Sequence, residues 1–186
     1  MTVLSEFPEF LSFECLDLSV VIKATKVRLI VIYRPPDKSR AQFIEEFSSL
    51  LESTVSVSSK LLITGDFNLH IDPPTTDAYA DNFLTLIESF GFQQLVNQPT
   101  HNGDHILDLV LSRQSESLVK STHVDDSLGR NISDHSAIKC VLNIRPPRWP
   151  TKTITFRSFK SIDWMLFFWI LTLCRWYSLQ PIHWMA

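Results

Sequence analysis

The chain has little glycine and cysteine and no strong excess of charge of either sign. Its 4 glycines among 186 residues fall below the roughly 7% of average usage, so few tight turns that need glycine are available. The 3 cysteines are widely separated, which excludes a disulfide framework and a CxxC zinc knuckle and is typical of a reducing compartment. A net charge of −3 argues against a chain that coats nucleic acid by bulk attraction, so any nucleic-acid contact must come from local sites.

Targeting, membrane and several enzyme signals are also missing. No basic region precedes an apolar stretch in residues 1–13, so we expect an intracellular protein of the nucleus or cytoplasm that is not secreted. The apolar run Trp164–Cys174 has 11 residues, short of the ~20 that span a bilayer, and is interpreted as a docking helix or an ill-structured terminus. Neither a GxSxG elbow nor a P-loop occurs. His101 and His105 are four residues apart, but Asn102-Gly103 predicts a turn between them and argues against a helical zinc pair.

What the sequence does contain is an alternation of strand and helix patterns. Apolar, β-branched runs predict strands, and apolar residues spaced three and four apart predict helices. The predicted elements are strands at Leu18–Ile22 and Val27–Tyr33, a helix at 39–54, a strand at Leu61–Thr64 that ends at Gly65, a helix at 76–90, and strands at Phe92–Val96, Ile106–Leu111 and Ser136–Ile144. This order predicts an α/β layered domain over residues 1–144. A basic, proline-containing linker at 145–163 follows, interpreted as a solvated connector, and then an apolar, tryptophan-rich tail of unknown role at 164–186.

A polar segment follows the buried strand at Leu61–Thr64 directly. It reads Gly65-Asp66-Phe67-Asn68, and the end of a strand is where α/β folds bind ligands. Residues two apart point the same way, so Asp66 and Asn68 can share one target while Phe67 faces the core. A simple Asp/Asn turn, with Asn68 in the left-handed conformation, explains the same residues equally well.

Two further polar positions accompany the later strands. Asp134-His135 precedes the last strand and places an oxygen ligand for a hard cation beside a group that titrates near neutral pH, although a turn also explains this pair. Asp108 lies within an otherwise apolar strand, where a buried carboxylate is costly unless it is paired. An imidazolium at His135 is the partner that explains Asp108, which would then fix the tautomer of the ring and raise its basicity.

Taken in chain order, the polar segments resemble the endonuclease/exonuclease/phosphatase superfamily, the fold of DNase I-like and apurinic-site nucleases. Within it they are most similar to the endonuclease domain encoded by non-LTR (LINE-type) retrotransposons. The segments that carry the resemblance are Ile32–Pro36 (IYRPP), Gly65–Asn68 (GDFN), Gln98–Gly103 (QPTHNG) with Leu107-Asp108 after it, and Ser133–His135 (SDH). The resemblance covers roughly Phe13 to Ile144, and the ordered set carries it rather than any single segment.

The resemblance implies a partial four-layer α/β sandwich of the DNase I-like type, with mixed sheets flanked by helices. It also implies hydrolysis of DNA phosphodiesters at one sheet edge with Mg²⁺ or Mn²⁺, without a small-molecule cofactor and without membrane contact. By motif match, Asp66 would orient or deprotonate the attacking water, and Asn68 would hold the scissile phosphate or that water. His135 would bind phosphate as an imidazolium or act as the base, with Asp108 behind it. The remaining implied roles are metal ligation by Asp134 and Asp66, phosphate contact by Tyr33, and DNA contact by Arg34, Thr100 and Ser133.

One part of the family pattern has no counterpart in the sequence. The resembled family begins with strands that carry an asparagine and the glutamate that holds the metal, whereas Glu6, Glu9 and Glu14 stand in no strand-like context of that kind. We therefore expect an N-terminally truncated domain with weakened metal binding and little nuclease activity. Two other functions stay open: a phosphatase or phosphodiesterase of the same superfamily, and a non-catalytic remnant that binds nucleic acid weakly through Arg34 and residues 145–160.

Overall fold

A computed structural model describes residues 2–3, 9–55, 60–72, 77–125, 133–146, 163, 165–166 and 168–169. The chain divides into two compact units, Met1–Pro147 and Arg148–Ala186. In the second unit, Asp163 accepts hydrogen bonds from the backbone N–H groups of Met165 and Leu166, and most of the predicted linker and tail lies outside the described residues. Among the described residues, no helix has the length and apolar character needed to cross a membrane.

The described part of the first unit combines two sheets with two helices. Its elements are β1 Thr2–Val3, β2 Glu14–Ile22, β3 Thr25–Tyr33, α1 Arg40–Val55, β4 Leu61–Asp66, α2 Ala78–Ser89, β5 Phe92–Gln94, β6 Asp108–Arg113, β7 Val119–Asp125 and β8 Ala137–Leu142. One sheet has six strands in the order β1-β2-β3-β4-β6-β5, with β3 and β4 parallel and the other neighbours antiparallel. The described part of the second sheet is the antiparallel pair β7-β8. The mixed α/β fold class predicted from the sequence is therefore confirmed.

Both helices begin at a polar cap. The hydroxyl of Ser39 accepts a hydrogen bond from the Gln42 N–H at 3.3 Å at the start of α1. Asp77 caps α2, because its Oδ1 accepts from the Ala80 N–H at 2.9 Å. The helix α2 is followed by Gly91, whose φ of +74° is typical of the residue that ends a helix.

The core packs four phenylalanine rings from α1, α2 and the segment after β4. Phe43 and Phe47 of α1, Phe83 of α2 and Phe67 are each fully buried. The Phe67 ring lies 6.1, 5.8 and 5.4 Å from the rings of Phe43, Phe47 and Phe83, measured between centroids. Phe67 thus faces the core as predicted, and this anchor fixes the direction of the two polar residues on either side of it.

The register of the large sheet places four polar residues in one row. Tyr33 at the end of β3 has Glu14 of β2 and Asp66 of β4 as its Cα partners, and Asp66 is in turn the partner of Asp108 on β6. Residues directly opposite each other on neighbouring strands project from the same face. The row therefore gathers these side chains on one face at one end of the sheet.

Four strand assignments differ from the sequence prediction. Asp66 is the last residue of β4, so this strand runs through Gly65 instead of ending there, and Asp108 is the first residue of β6 and not an interior one. Glu14, placed outside any strand by the sequence, begins β2. The strand β7 was not predicted, because its residues do not alternate between apolar and polar. It forms through its pairing with β8, which the local sequence does not indicate.

Candidate active site

Asp66 and Asn68 face each other at the end of β4. The Asn68 backbone N–H donates to Asp66 Oδ1 at 3.1 Å, and Asn68 Nδ2 donates to Asp66 Oδ2 at 2.9 Å. Asn68 Nδ2 also donates to the carbonyl of Arg34 at 2.8 Å. Asn68 has a φ of +49°, which asparagine tolerates better than most residues. The predicted Asp/Asn turn is present and brings the two side chains to one point, and the target that they would share stays a prediction.

Asp108 and His135 form the pair that the sequence predicted. His135 Nδ1 lies 2.7 Å from Asp108 Oδ2, and the side chains are 27% and 20% exposed. A carboxylate can only accept, so Nδ1 carries the proton of this hydrogen bond and Nε2 is left for another partner. Because Asp108 stands at a strand end with water access, its burial costs less than an interior position would.

Three acid–base groups converge here. Asp66, Asp108 and His135 each offer one ligand atom, and these atoms all lie within 4.8 Å of one another. Burial raises the pKa of Asp66, and the charge of Asp108 acts in the same direction. Burial works to lower the pKa of His135, but the hydrogen bond and charge of Asp108 outweigh it, with help from Asp66 and Asp134, so the pKa is raised. The cluster therefore favours an imidazolium beside two crowded carboxylates.

This donor set fits a hard divalent cation. Burial and then the charge of Asp108 raise the pKa of Asp66, and a cation between the two carboxylates would relieve their repulsion. Mg²⁺ is usually held by one or two carboxylates and completes its shell with water and phosphate oxygens. The residues present thus fit Mg²⁺ or Mn²⁺ through Asp66 and Asp108.

Asp134, predicted to bind the metal together with Asp66, lies in a different group of possible metal ligands. Asp134 groups with His101 and His135, while Asp66 groups with Asp108 and His135, so the two predicted ligands belong to different groups that share His135. The Asp134 side chain is 61% exposed, and its Oδ2 lies 3.3 Å from His101 Nε2. The backbone hydrogen bond to its own N–H, and then the contact with His101, lower the pKa of Asp134.

His101 is a site residue that sequence reasoning missed. Its ring packs edge-on against that of His135, with centroids 5.2 Å apart, and the two residues form an antiparallel bridge. The turn predicted after it is present, since its carbonyl accepts from the Asp104 N–H. Its position next to Thr100, inside a segment that carries the family resemblance, was the available signal.

Thr100 does not have the predicted role of a DNA contact. It is fully buried, and its Oγ1 accepts hydrogen bonds from the N–H groups of Leu107 at 3.0 Å and Asp108 at 3.1 Å. Its carbonyl accepts from the Ser136 N–H at 2.7 Å. Thr100 therefore ties the backbone of Asp108 to the segment after His135, which makes it a positioning residue.

Arg34 requires the same correction. It is only 1% exposed, and its guanidinium donates to the carbonyls of Phe67, Asn68 and Lys38 at 3.3, 3.2 and 2.7 Å. A guanidinium enclosed by carbonyls cannot reach a DNA phosphate. It braces the turn that carries Asn68.

Ser133 and Tyr33 remain accessible. The Ser133 hydroxyl accepts from the His135 N–H at 3.1 Å and lies 3.3 Å from Asp134 Oδ1, in an exposed turn. The Tyr33 side chain belongs to the row beside Asp66, and the residue is 45% exposed. The phosphate contacts predicted for both residues stay predictions.

A cleft of about 600 Å³ opens next to this cluster. Gln98, Pro99, His101, Asn102, Asp104, Val124 and Ser133–Ser136 line it. Of the acid–base cluster, His135 lines the cleft, whereas Asp66, Asn68 and Asp108 are not among the lining residues.

The charge of Asp108 sustains the raised pKa of His135. In an Asp108→Asn variant the carboxylate charge is lost at nearly constant size, so we expect the pKa of His135 to fall below that of the parent. NMR titration of the ring signals without divalent cations measures the change. The exposed His123 on β7 serves as the internal control, and an unchanged His135 titration would contradict the assignment.

The same pair makes stability depend on pH. Because the folded pKa of His135 is raised above its ordinary value of 6.5, the stabilisation is fully present below about pH 6.5 and is lost as pH rises through the folded pKa. The difference in the free energy of unfolding between the parent and Asp108→Asn should therefore become smaller from pH 5 to 9, about the range in which histidine titrates.

The comparisons with known proteins agree with this architecture. The sequence pattern of the Endonuclease-reverse transcriptase family matches residues 27–139. The chain belongs to this family, which places it among the nuclease and phosphatase enzymes of the endonuclease/exonuclease/phosphatase superfamily and confirms the resemblance predicted from its motifs. No curated protein matches the chain.

Solved structures share the fold. The endonuclease domain of TRAS1, a telomere-specific non-LTR retrotransposon, is 20% identical with a TM-score of 0.56 over 67% of this chain and 59% of that one. A 3′-5′ exonuclease (NExo) from Neisseria meningitidis is 17% identical with a TM-score of 0.54 over 70% and 65%. The 3′ phosphatase NExo from Neisseria bound to a product DNA hairpin is 16% identical with a TM-score of 0.51 over 70% and 65%. The chain spans less than two thirds of the length of each of these proteins.

Proposed function

We propose that the chain carries a divalent-metal-dependent site for hydrolysis of DNA phosphodiesters. The observation that carries the proposal is the convergence of the Asp66–Asn68 turn and the Asp108–His135 pair at one end of the large sheet. These are the groups that an in-line displacement at phosphorus requires: an acceptor for the proton of water, a donor for phosphate oxygen and a cation site.

Each residue has a distinct part in the proposed reaction. Asp66 orients or deprotonates the attacking water, and Asn68, held by its contacts with Asp66 and the Arg34 carbonyl, donates to the water or the scissile phosphate. His135 donates from Nε2 to a phosphate oxygen, because Asp108 occupies Nδ1 and the raised pKa favours the imidazolium. A bound Mg²⁺ or Mn²⁺ would supply charge neutralisation at the phosphate. Asp66 and Asp108 would hold it.

Plasmid nicking by the purified 186-residue chain tests the proposal. We expect slow relaxation of supercoiled plasmid in Mg²⁺ or Mn²⁺ that EDTA stops, and a further loss of about a hundredfold or more in Asp66→Ala and His135→Ala, the scale of removing a general acid or base. Asp125→Asn, a surface change on β7, is the matched control. Nicking that persists in Asp66→Ala would contradict the assignment.

The predicted weakness of the chain is tested in the same assay. Efficient nicking that Asp66→Ala abolishes would support the site and contradict the expected loss of activity. Hydrolysis of small phosphomonoesters without nicking would favour the phosphatase. Salt-dependent DNA binding without any cleavage would favour the non-catalytic remnant.

A further inference from the structure

We propose that His70, Asp72 and His105 form a second metal site, one that takes a transition-metal ion such as Zn²⁺. The three residues stand on two neighbouring loops, the one that follows β4 and the one that leads into β6. Each offers one ligand atom, and these atoms all lie within 4.8 Å of one another. None of the three belongs to the cluster around His135, so the site goes beyond the proposed nuclease function.

The distances are close to those of a zinc site. Asp72 Oδ2 lies 2.8 Å from His105 Nδ1 and 3.8 Å from His70 Nδ1, and the two rings meet edge to face with centroids 4.3 Å apart. Tetrahedral zinc with bonds of about 2.0–2.1 Å to nitrogen and oxygen places its ligand atoms about 3.4 Å apart. The two separations lie on either side of that value, so movements of the side chains alone would admit the ion.

The carboxylate is held in place by the backbone. Asp72 Oδ1 accepts from the Ile106 N–H at 2.5 Å, which leaves Oδ2 directed at the two imidazoles. The Ile71 N–H donates to the Ile106 carbonyl at 3.4 Å, and both isoleucines are buried. Backbone support of this kind around a ligand is what orients metal-binding side chains.

The donor chemistry separates this site from the group of Asp66, Asp108 and His135, although the group of His101, Asp134 and His135 has the same donor types. Two imidazoles and one carboxylate suit Zn²⁺ or Co²⁺, whereas Mg²⁺ prefers oxygen ligands. The His70 and His105 side chains are each 43% exposed, so an ion can enter from solvent and a water can complete its shell. Three protein ligands and an open position are typical of an accessible zinc site.

The competing explanation is a hydrogen bond without a metal, and it explains the position of His105 but not that of His70. The contact of His105 with Asp72 is complete as a hydrogen bond at 2.8 Å. His70 presents its Nδ1 to the same oxygen at 3.8 Å, too far for a hydrogen bond. An ion shared by all three accounts for both rings. It would tie the loop that carries Asn68 to the loop that leads into Asp108.

Zinc binding by the full chain tests the site. Equilibrium dialysis of metal-free protein against Zn²⁺ alone should show tight binding that weakens about tenfold or more in His70→Gln, Asp72→Asn and His105→Gln, the lower range for disrupting a metal site. Co²⁺ should give the absorption of a tetrahedral site in the parent and lose it in these variants. His123→Gln, on β7, should retain both.

If another variant fails to fold, His70→Gln still decides the test. The His70 side chain is half exposed in its loop, so we expect this variant to fold, and circular dichroism checks that it does. Zinc affinity in folded His70→Gln equal to that of the parent would overturn the site. Equal losses in His123→Gln, or no zinc binding by the folded parent, would overturn it as well. If the folded parent binds zinc at this site but does not nick plasmid, the nuclease proposal is rejected and the zinc-site proposal is retained.

Discussion

Replacement of Gly65 by alanine is expected to destabilise the fold more than any other change of similar size. A Cβ atom at this position would lie 1.8 Å from the carbonyl oxygen of Ile32 on the neighbouring strand β3. The obstacle is backbone, and it is part of the parallel pairing of β3 with β4, so it cannot move aside without breaking that pairing. The φ of +145° is a second obstacle for any residue with a side chain.

The expected loss is at least about 4 kcal/mol in the free energy of unfolding, the range reached by severe backbone and packing conflicts. For a domain of this size that corresponds to a drop of roughly 10 °C in the unfolding midpoint. Asp66 follows directly, so the strand shift would also displace it from Asp108. Calorimetry or thermal circular dichroism measures the change, and insoluble protein would agree with it.

Gly91→Ala is the matched control for this prediction. Gly91 also has a positive φ, +74°, but a Cβ atom there would meet nothing within 4 Å. Only the left-handed conformation is penalised, at about 1–2 kcal/mol. Equal destabilisation by Gly65→Ala and Gly91→Ala would show that the contact with Ile32 is unimportant and would contradict the structure.

Removal of Asp17 is expected to have the second-largest effect. Its carboxylate is fully buried between β2 and β3 and accepts from the Arg28 guanidinium, with Nε 3.0 Å from Oδ1 and Nη2 2.7 Å from Oδ2. Breaking such a pair leaves a buried charge without this partner and costs about 3–5 kcal/mol. We expect Asp17→Ala to lower the free energy of unfolding by that amount, measured by urea titration.

Two further variants test whether the destabilisation comes from the buried charge that remains or from the lost attraction. Asp17→Leu combined with Arg28→Met should recover most of the loss, because the cost comes from burying the Arg28 charge without this carboxylate more than from the missing attraction. Asp125→Asn removes the partner of Lys139 in an exposed pair at 3.4 Å and should cost no more than about 1 kcal/mol. A double variant as unstable as Asp17→Ala would contradict this explanation.

Much of the candidate site could be predicted because its signals are local. The Gly65–Asn68 turn follows a buried strand, and the alternation of side chains put Phe67 in the core and its neighbours outside. The pairing of Asp108 with His135 followed from the cost of an unpaired acid among apolar residues. The first inference needed only the neighbouring sequence, whereas the second joined two residues 27 positions apart through the cost of an unpaired acid.

The errors occurred where burial depends on distant residues. Arg34 and Thr100 are polar and were assigned to DNA. The Arg34 guanidinium instead donates to backbone carbonyls, including that of Phe67, and the Thr100 hydroxyl accepts from backbone N–H groups, including that of Leu107. No local pattern states which polar side chain will be needed inside to satisfy a turn. The strand β7 was missed for a similar reason, because it has no alternation of its own and depends on β8.

The sequence by itself determined the α/β class, the family resemblance and the residue types proposed for phosphodiester hydrolysis, because strand and helix periodicity and short motifs are properties of the local chain. Only the tertiary structure decided which of these residues meet. It placed Asp134 with His101 on the cleft side of His135, and it gathered His70, Asp72 and His105 from two loops into one cluster. Strand register and loop packing set those distances, and both arise from contacts between residues far apart in the sequence.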